Sequence, residues 1–171
     1  NLFQEHGGRI FNTAGDSTLA EFQSAVSSVL CATEFQKLIK QRNASVDESS
    51  QMHFRIGINM GDVIVEGTNL YGDGVNVAAR LEALSQSGGV SLSKSIHDFV
   101  SQKVELSFSD LGNQKVKNTI VHAFDVSIEG IETRALEDNS AGRSDADDKN
   151  SKPPTIAVLP FKNMSNDEEQ E

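Results

Sequence analysis

The sequence predicts an α+β fold with helices packed on a mixed sheet, and three observations carry that expectation. Strand-like pairs joined at tight turns alternate with helical segments in the order β-β-α-β-β-α-β-α-β-β. Apolar residues alternate with period two at Phe54, Ile56 and Ile58, and recur at intervals of three and four at Ala25, Val29, Ala32, Phe35 and Ile39. A chain of 171 residues with 37% hydrophobic content can also bury one core of ordinary size.

The elements follow in order. Residues 8–14 and 17–22 read as two strands joined tightly at Gly15-Asp16, with Ile10 and Phe11 before the turn and Leu19, Ala20 and Phe22 after it. Residues 23–41 carry the helical stripe, and the polar run 42–51 ends it. A second strand pair, 52–59 and 62–66, is expected around Met60-Gly61. A helix over 74–84 follows, with Asp73 expected as its N-cap and Gly88-Gly89 marking the exit. A strand at 90–92, a helix near 94–101 and strands at 105–108 and 121–126 complete the domain, 1–126. Residues 127–154 turn to Glu, Asp, Ser, Asn and Lys, the composition of an acidic flexible linker. Beyond Pro153-Pro154, residues 155–171 open on an apolar strand pattern, Thr155 to Phe161.

Composition excludes several function classes. With 25 acidic against 15 basic residues and a net charge of -10, broad electrostatic binding to nucleic acid or to an anionic membrane is not expected. No apolar run approaches the roughly 20 residues that span a bilayer. Cys31 is the single cysteine, so no intrachain disulfide can form, and its helical apolar setting marks it as a buried small hydrophobe. The chain is compatible with a reducing cytoplasm. The histidines His6, His53, His97 and His122 lack zinc-type spacing and read as surface or packing residues.

Two segments about sixty residues apart carry the chemistry: N-T-A-G-D-S-T-L-A-E-F over 12–22 and Y-G-D-G-V-N-V-A-A-R-L-E over 71–82. The first puts Asp16 at a hairpin tip. The second puts Asn76 and Arg80 four apart on one helix face. A carboxylate, an amide and a guanidinium suit metal-assisted phosphoryl chemistry, because a carboxylate on a rigid hairpin can hold a hard cation and an arginine fork stays charged.

These segments, with their order and separation, resemble the catalytic domain of class III nucleotidyl cyclases over about residues 5–126. The resemblance implies a ferredoxin-like, palm-type sheet whose first strand and following helices belong upstream of Asn1. It makes Asp16 the second of two carboxylates that bind two Mg²⁺ or Mn²⁺ ions, gives Asn76 the ribose and gives Arg80 the transition state. Lys117, in Q-K-V-K-N, lies where the family often contacts the triphosphate. ATP would become 3′,5′-cyclic AMP and pyrophosphate in cytoplasmic signalling, in a homodimer whose shared sites take metal carboxylates from one subunit and the Asn/Arg pair from the other. The 155–165 stretch resembles the opening strand of the TolB-like region that follows cyclase domains in bacterial proteins.

Two departures matter. Adenylyl cyclases commonly place a Lys four residues before the hairpin Asp and an Asp seven residues before the helix Asn to read the adenine edge. Asn12 and Asn69 stand there instead, and each can donate or accept, so discrimination between ATP and GTP is expected to be modest. The strand for the first metal carboxylate is also not in the chain, and without it the piece is expected to be inactive. The alternative reading is a cyclase-like module that binds nucleotide or dimerises to regulate a downstream domain. A diguanylate cyclase would show a Gly-Gly-Asp/Glu-Glu-Phe hairpin, which Ala14-Gly15-Asp16-Ser17-Thr18 is not.

Overall fold

Alternation along the strands decides which helix covers which face of the sheet. The computed structural model describes residues 1–14, 17–62, 64–66, 69–116, 118–131 and 155–160. A short helix α1 (Leu2–Glu5) leads into β1 (Gly8–Ala14), which pairs antiparallel with β2 (Ser17–Phe22) through a bulge between Ile10 and Asn12. Helix α2 (Ala25–Asn43) starts where the Ser24 hydroxyl accepts from the Ser27 N–H. A 3-10 turn at Glu48–Ser50 precedes β3 (Arg55–Ile58). Then come β4 (Ile64–Glu66), β5 (Asn69–Tyr71), α3 (Asp73–Leu84), β6 (Val90–Ser93), α4 (Lys94–Val100), β7 (Ser107–Val116), β8 (Thr119–Ser127) and β9 (Thr155–Pro160).

The main sheet runs β1-β2-β9-β3-β6-β8-β7 and is mixed: β3 is parallel to β6, while β6, β8 and β7 are antiparallel neighbours. This is the α+β architecture that the sequence predicts. Ile56 and Ile58 join the large core with Phe22, Val29, Leu92, Ile96 and Val126, which places α2 and α4 on that face. Gly57 points the other way, and a Cβ there would collide with the Ala78 carbonyl and the Glu82 N–H of α3. On β8 the same parity puts Phe124 and Val126 under α4, and Val121 and Ala123 under Leu81 of α3. The sheet is therefore sandwiched, with α3 alone among the longer helices on the second face.

The structure corrects two expectations. β3 and β4 do not pair with each other: β4 pairs with β5 in a separate two-stranded sheet, and β3 takes parallel partners. A strand with Ile56 and Ile58 almost fully buried needs neighbours on both edges, whereas Ile64 on β4 is 63% exposed and suits the periphery. The last two strands form one long hairpin, β7 extending through the polar run Asp110 to Lys115 that hides it in the sequence. The strand pattern expected from Thr155 is a strand over 155–160, and its backbone lies in the main sheet, parallel to both β2 and β3, with Thr155 opposite Ser17 and Arg55. An unpaired gap between two core strands would leave backbone donors and acceptors unsatisfied, and an extended apolar segment closes it.

Candidate active site

Helix α3 is the element that carries Asn76 and Arg80, so the contacts that fix its position set the site. It begins after Gly72, whose φ of 138° is a conformation open to glycine and strained for other residues. Asp73 is thus the first helical residue and not the N-cap expected from the sequence; Gly72 takes that position with no side-chain cap, and the exposed Asp73 carboxylate lies in the first turn, where it complements the helix dipole.

Four contacts then hold the helix along β3 and the segment that follows it. At its N-terminal end the buried Asn59 donates from Nδ2 to the Gly74 carbonyl at 3.1 Å. Gly61 lies so close that a Cβ there would sit 3.2 Å from the Gly74 Cα. At its other end Arg55 Nε pairs with Glu82 Oε1 at 2.8 Å, with the two side chains 26% and 10% exposed. Between these, Gly57 lets the helix backbone rest directly on the strand.

Held in this way, α3 leaves the Asn76 side chain exposed and Arg80 half-buried, one turn apart on the same face. Arg80 Nη1 donates to the Thr119 hydroxyl at 2.6 Å. Beside the first turn lies a cleft of about 540 Å³ lined by Asn59, Asp62, Ile64, Gly72, Asp73 and Val77. The arrangement offers an exposed amide, a tethered guanidinium and an adjoining concavity of nucleotide size, whose lining among the described residues includes Asp62 and Asp73 and no basic residue, so that an anion bound there needs its charge balanced from elsewhere.

The other expected site residues are placed as follows. Asn12 lies on β1 just after its bulge, opposite Leu19. Asn69 opens β5 opposite Glu66. Strands β1 and β5 contact one another, so both asparagines sit on neighbouring elements, placed here by backbone alone. Asp16 and Lys117 lie outside the described residues. Among the described residues no group of three or more His, Cys, Asp or Glu side chains could hold a metal, so these residues do not by themselves supply an ion site. His97 stacks on Phe124 with ring centroids 3.8 Å apart, and His122 meets Asp110 at 2.7 Å. The Gly112 N–H, with His122 adding to it, holds the Asp110 carboxyl below its usual range. Sequence reasoning missed Asn59, Asp62 and Thr119; of these only the glycine-flanked Asn59-Met60-Gly61 run carried a local signal.

The family model for the adenylate and guanylate cyclase catalytic domain matches residues 1–129. The chain belongs to that family. This cyclase domain is 42% identical over 165 residues to a protein of Rhizobium meliloti named putative adenylate cyclase 3, covering 96% of the chain and 28% of the relative. The chain thus spans about a quarter of the length of that curated relative. Among solved structures, an adenylate/guanylate cyclase/hydrolase from Silicibacter pomeroyi is 32% identical, with a TM-score of 0.66 over 75% of this chain and 77% of that one. The guanylate cyclase domain of RhGC from Catenaria anguillulae, solved in complex with GTP, shares the fold at 22% identity and a TM-score of 0.55, covering 74% and 76%. Among the described residues of the cyclase domain, no helix is long and apolar enough to cross a membrane.

Proposed function

We propose that the chain forms the main part of a nucleotidyl cyclase catalytic domain that converts ATP to 3′,5′-cyclic AMP and pyrophosphate for cytoplasmic signalling. The observation that carries the reading is α3, clamped to the sheet at Gly57, Asn59 and Glu82 so that Asn76 and Arg80 project together beside a cleft. The relative named putative adenylate cyclase 3 supports ATP as substrate, and GTP is the competitor.

In this reading Asn76 hydrogen-bonds the sugar and aligns its 3′-oxygen with the α-phosphorus. The 3′-oxygen attacks, the α–β phosphoanhydride bond breaks, and pyrophosphate leaves. Arg80 follows the negative charge that grows on the phosphoryl oxygens, an interaction stronger in the transition state than in the ground state. Lys117 contacts the triphosphate, and Asn12 and Asn69 meet the base edge. Two Mg²⁺ or Mn²⁺ ions, one carboxylate ligand being Asp16, belong to the reading and supply charge neutralisation when bound. The sites are shared across a homodimer, and residues 127–154 link the domain to a downstream region whose opening strand, 155–160, lies between β2 and β3 of the main sheet.

The alternative is a nucleotide-binding or dimerising module without turnover, which the two asparagines at the base positions favour. Incubating the chain, alone and within a longer version of the protein, with MgATP or MgGTP separates the two. Cyclic AMP formed by either version supports the enzyme. Nucleotide bound by both and cyclised by neither overturns it in favour of the module.

A further inference from the structure

Arg80 is held by a residue far along the chain. The hydroxyl that accepts from its Nη1 belongs to Thr119, 39 residues away and the first residue of β8. Strand parity sets Thr119 on the α3 face, because Val121 and Ala123, at the same parity, pack against Leu81 next to Arg80. Val116 pairs with Thr119, so Lys117 and Asn118 alone separate the two strands of the hairpin. The geometry assigns Thr119 as a positioning residue: its hydroxyl fixes the Arg80 guanidinium and ties it to the start of β8. The consequence for catalysis rests on the cyclase reading; the tether itself does not.

A hydroxyl suits this task better than the alternatives. It accepts one of the five N–H donors of the guanidinium, leaving the others to face an anion. A carboxylate in the same place would form a forked pair and hold the charge away from a phosphoryl oxygen. An apolar residue would leave a long side chain free to rotate, and a donor that must be ordered during the reaction stabilises charge less than one fixed beforehand. The link also couples the arginine to the first residue of β8, so the group facing the transition state keeps its spacing from that strand.

Thr119→Val keeps the shape and removes the acceptor; Thr119→Ser restores it. The first readout needs no turnover: in the ligand-free chain, rotation of the Arg80 guanidinium about Nε–Cζ is measured by ¹⁵N NMR. Rotation should be at least about tenfold faster in Thr119→Val and near wild type in Thr119→Ser, by the loss and return of one charge-assisted hydrogen bond. Equal rates in all three overturn the assignment. The second readout uses whichever version of the protein turns over: kcat should fall about ten- to thirtyfold in Thr119→Val with KM for MgATP within about threefold, and Thr119→Ser should recover it. A fall in both variants alike, or a change in KM alone, overturns the positioning role. If Thr119→Val unfolds, Thr119→Ala is read in its place. A wild-type protein that cyclises nothing defeats the cyclase reading and leaves the rotation measurement to decide the tether.

Discussion

Arg80 and Asn76 project from a helix whose main packing is made by Leu81 and by its backbone over Gly57, with the Arg80–Thr119 hydrogen bond a single further contact. Arg80→Ala and Asn76→Ala should therefore each reduce cyclic nucleotide formation by about 10²-fold or more, the scale of losing one oriented polar group at a developing charge, while shifting the urea midpoint little. A large midpoint shift would show that they serve the fold. Cys31 is the opposite case. It is 1% exposed, and burial first, then Glu34 and Glu5, push its thiol up to about 11. Iodoacetamide at pH 8 should label it about a hundredfold more slowly in the folded chain than in urea, since the thiolate is the nucleophile. The raised value also fixes a sign: the folded state keeps the proton longer than the unfolded one, so stability is fully present below about pH 9 and falls as pH rises towards about 11. A pH-independent midpoint across that window would contradict it. At this scale the sequence was legible wherever a residue acts through a local motif, as in the V-N-V-A-A-R helix. It did not give the partners of Asn59 and Thr119, which lie 15 and 39 residues away.

Helices were easier to read than strands, and the physical reason differs between them. The stripe expected over 23–41 and the helix expected over 74–84 are α2 and α3 within two residues at each end. Yet α2 buries Ser28, Thr33 and Gln36 as well as apolar groups. Ser28 and Thr33 donate back to the Ala25 and Val29 carbonyls, and Gln36 Nε2 bridges the Phe54 and Gly89 carbonyls at 3.0 and 2.8 Å. Hydrogen-bonded donors of this kind can enter a core that a hydrophobic pattern would deny them, although the Gln36 Oε1 is buried without a partner among the described residues. Strand partners were misread for β3 and β4 because alternation reports which face is buried and says nothing of which strand lies alongside. Gly57 shows what that pairing demands. Gly57→Ala would drive a methyl into the backbone of α3, which unlike a side chain cannot swing aside, so a loss at or above the upper end of ~1–3 kcal/mol is expected in denaturant unfolding. Gly61→Ala, with a 3.2 Å approach to the Gly74 Cα, should cost less. The order of the two midpoints checks the argument, and a reversal would mean that the Asn59 end of α3 is the more rigid clamp.

For the whole molecule, the α3 face exposes Asn76 beside an open cleft and not within an enclosed cavity. Among the described residues the cleft has no cation cluster or metal-ligand set to balance a triphosphate, in a chain of net charge -10. A second copy would supply what one surface lacks if the hairpin-tip carboxylate of one subunit met the Asn76/Arg80 face of the other. Two-fold symmetry would then create the same site twice. Asp16→Ala and Arg80→Ala should each be inactive, since every site in either homodimer has one lesion. In a heterodimer one site collects both lesions and the other has neither. Free exchange in an equal mixture makes half the dimers mixed, each with one intact site of two, so the mixture should regain about a quarter of wild-type activity. The measurement is cyclic nucleotide formation across mixing ratios, with heterodimers counted by native mass spectrometry using a mass tag on one partner. Recovery should peak at the equal ratio and follow the heterodimer count. An inactive mixture in which half the dimers are mixed would place Asp16 and Arg80 in the same subunit's site, and the shared-site arrangement would have to be abandoned.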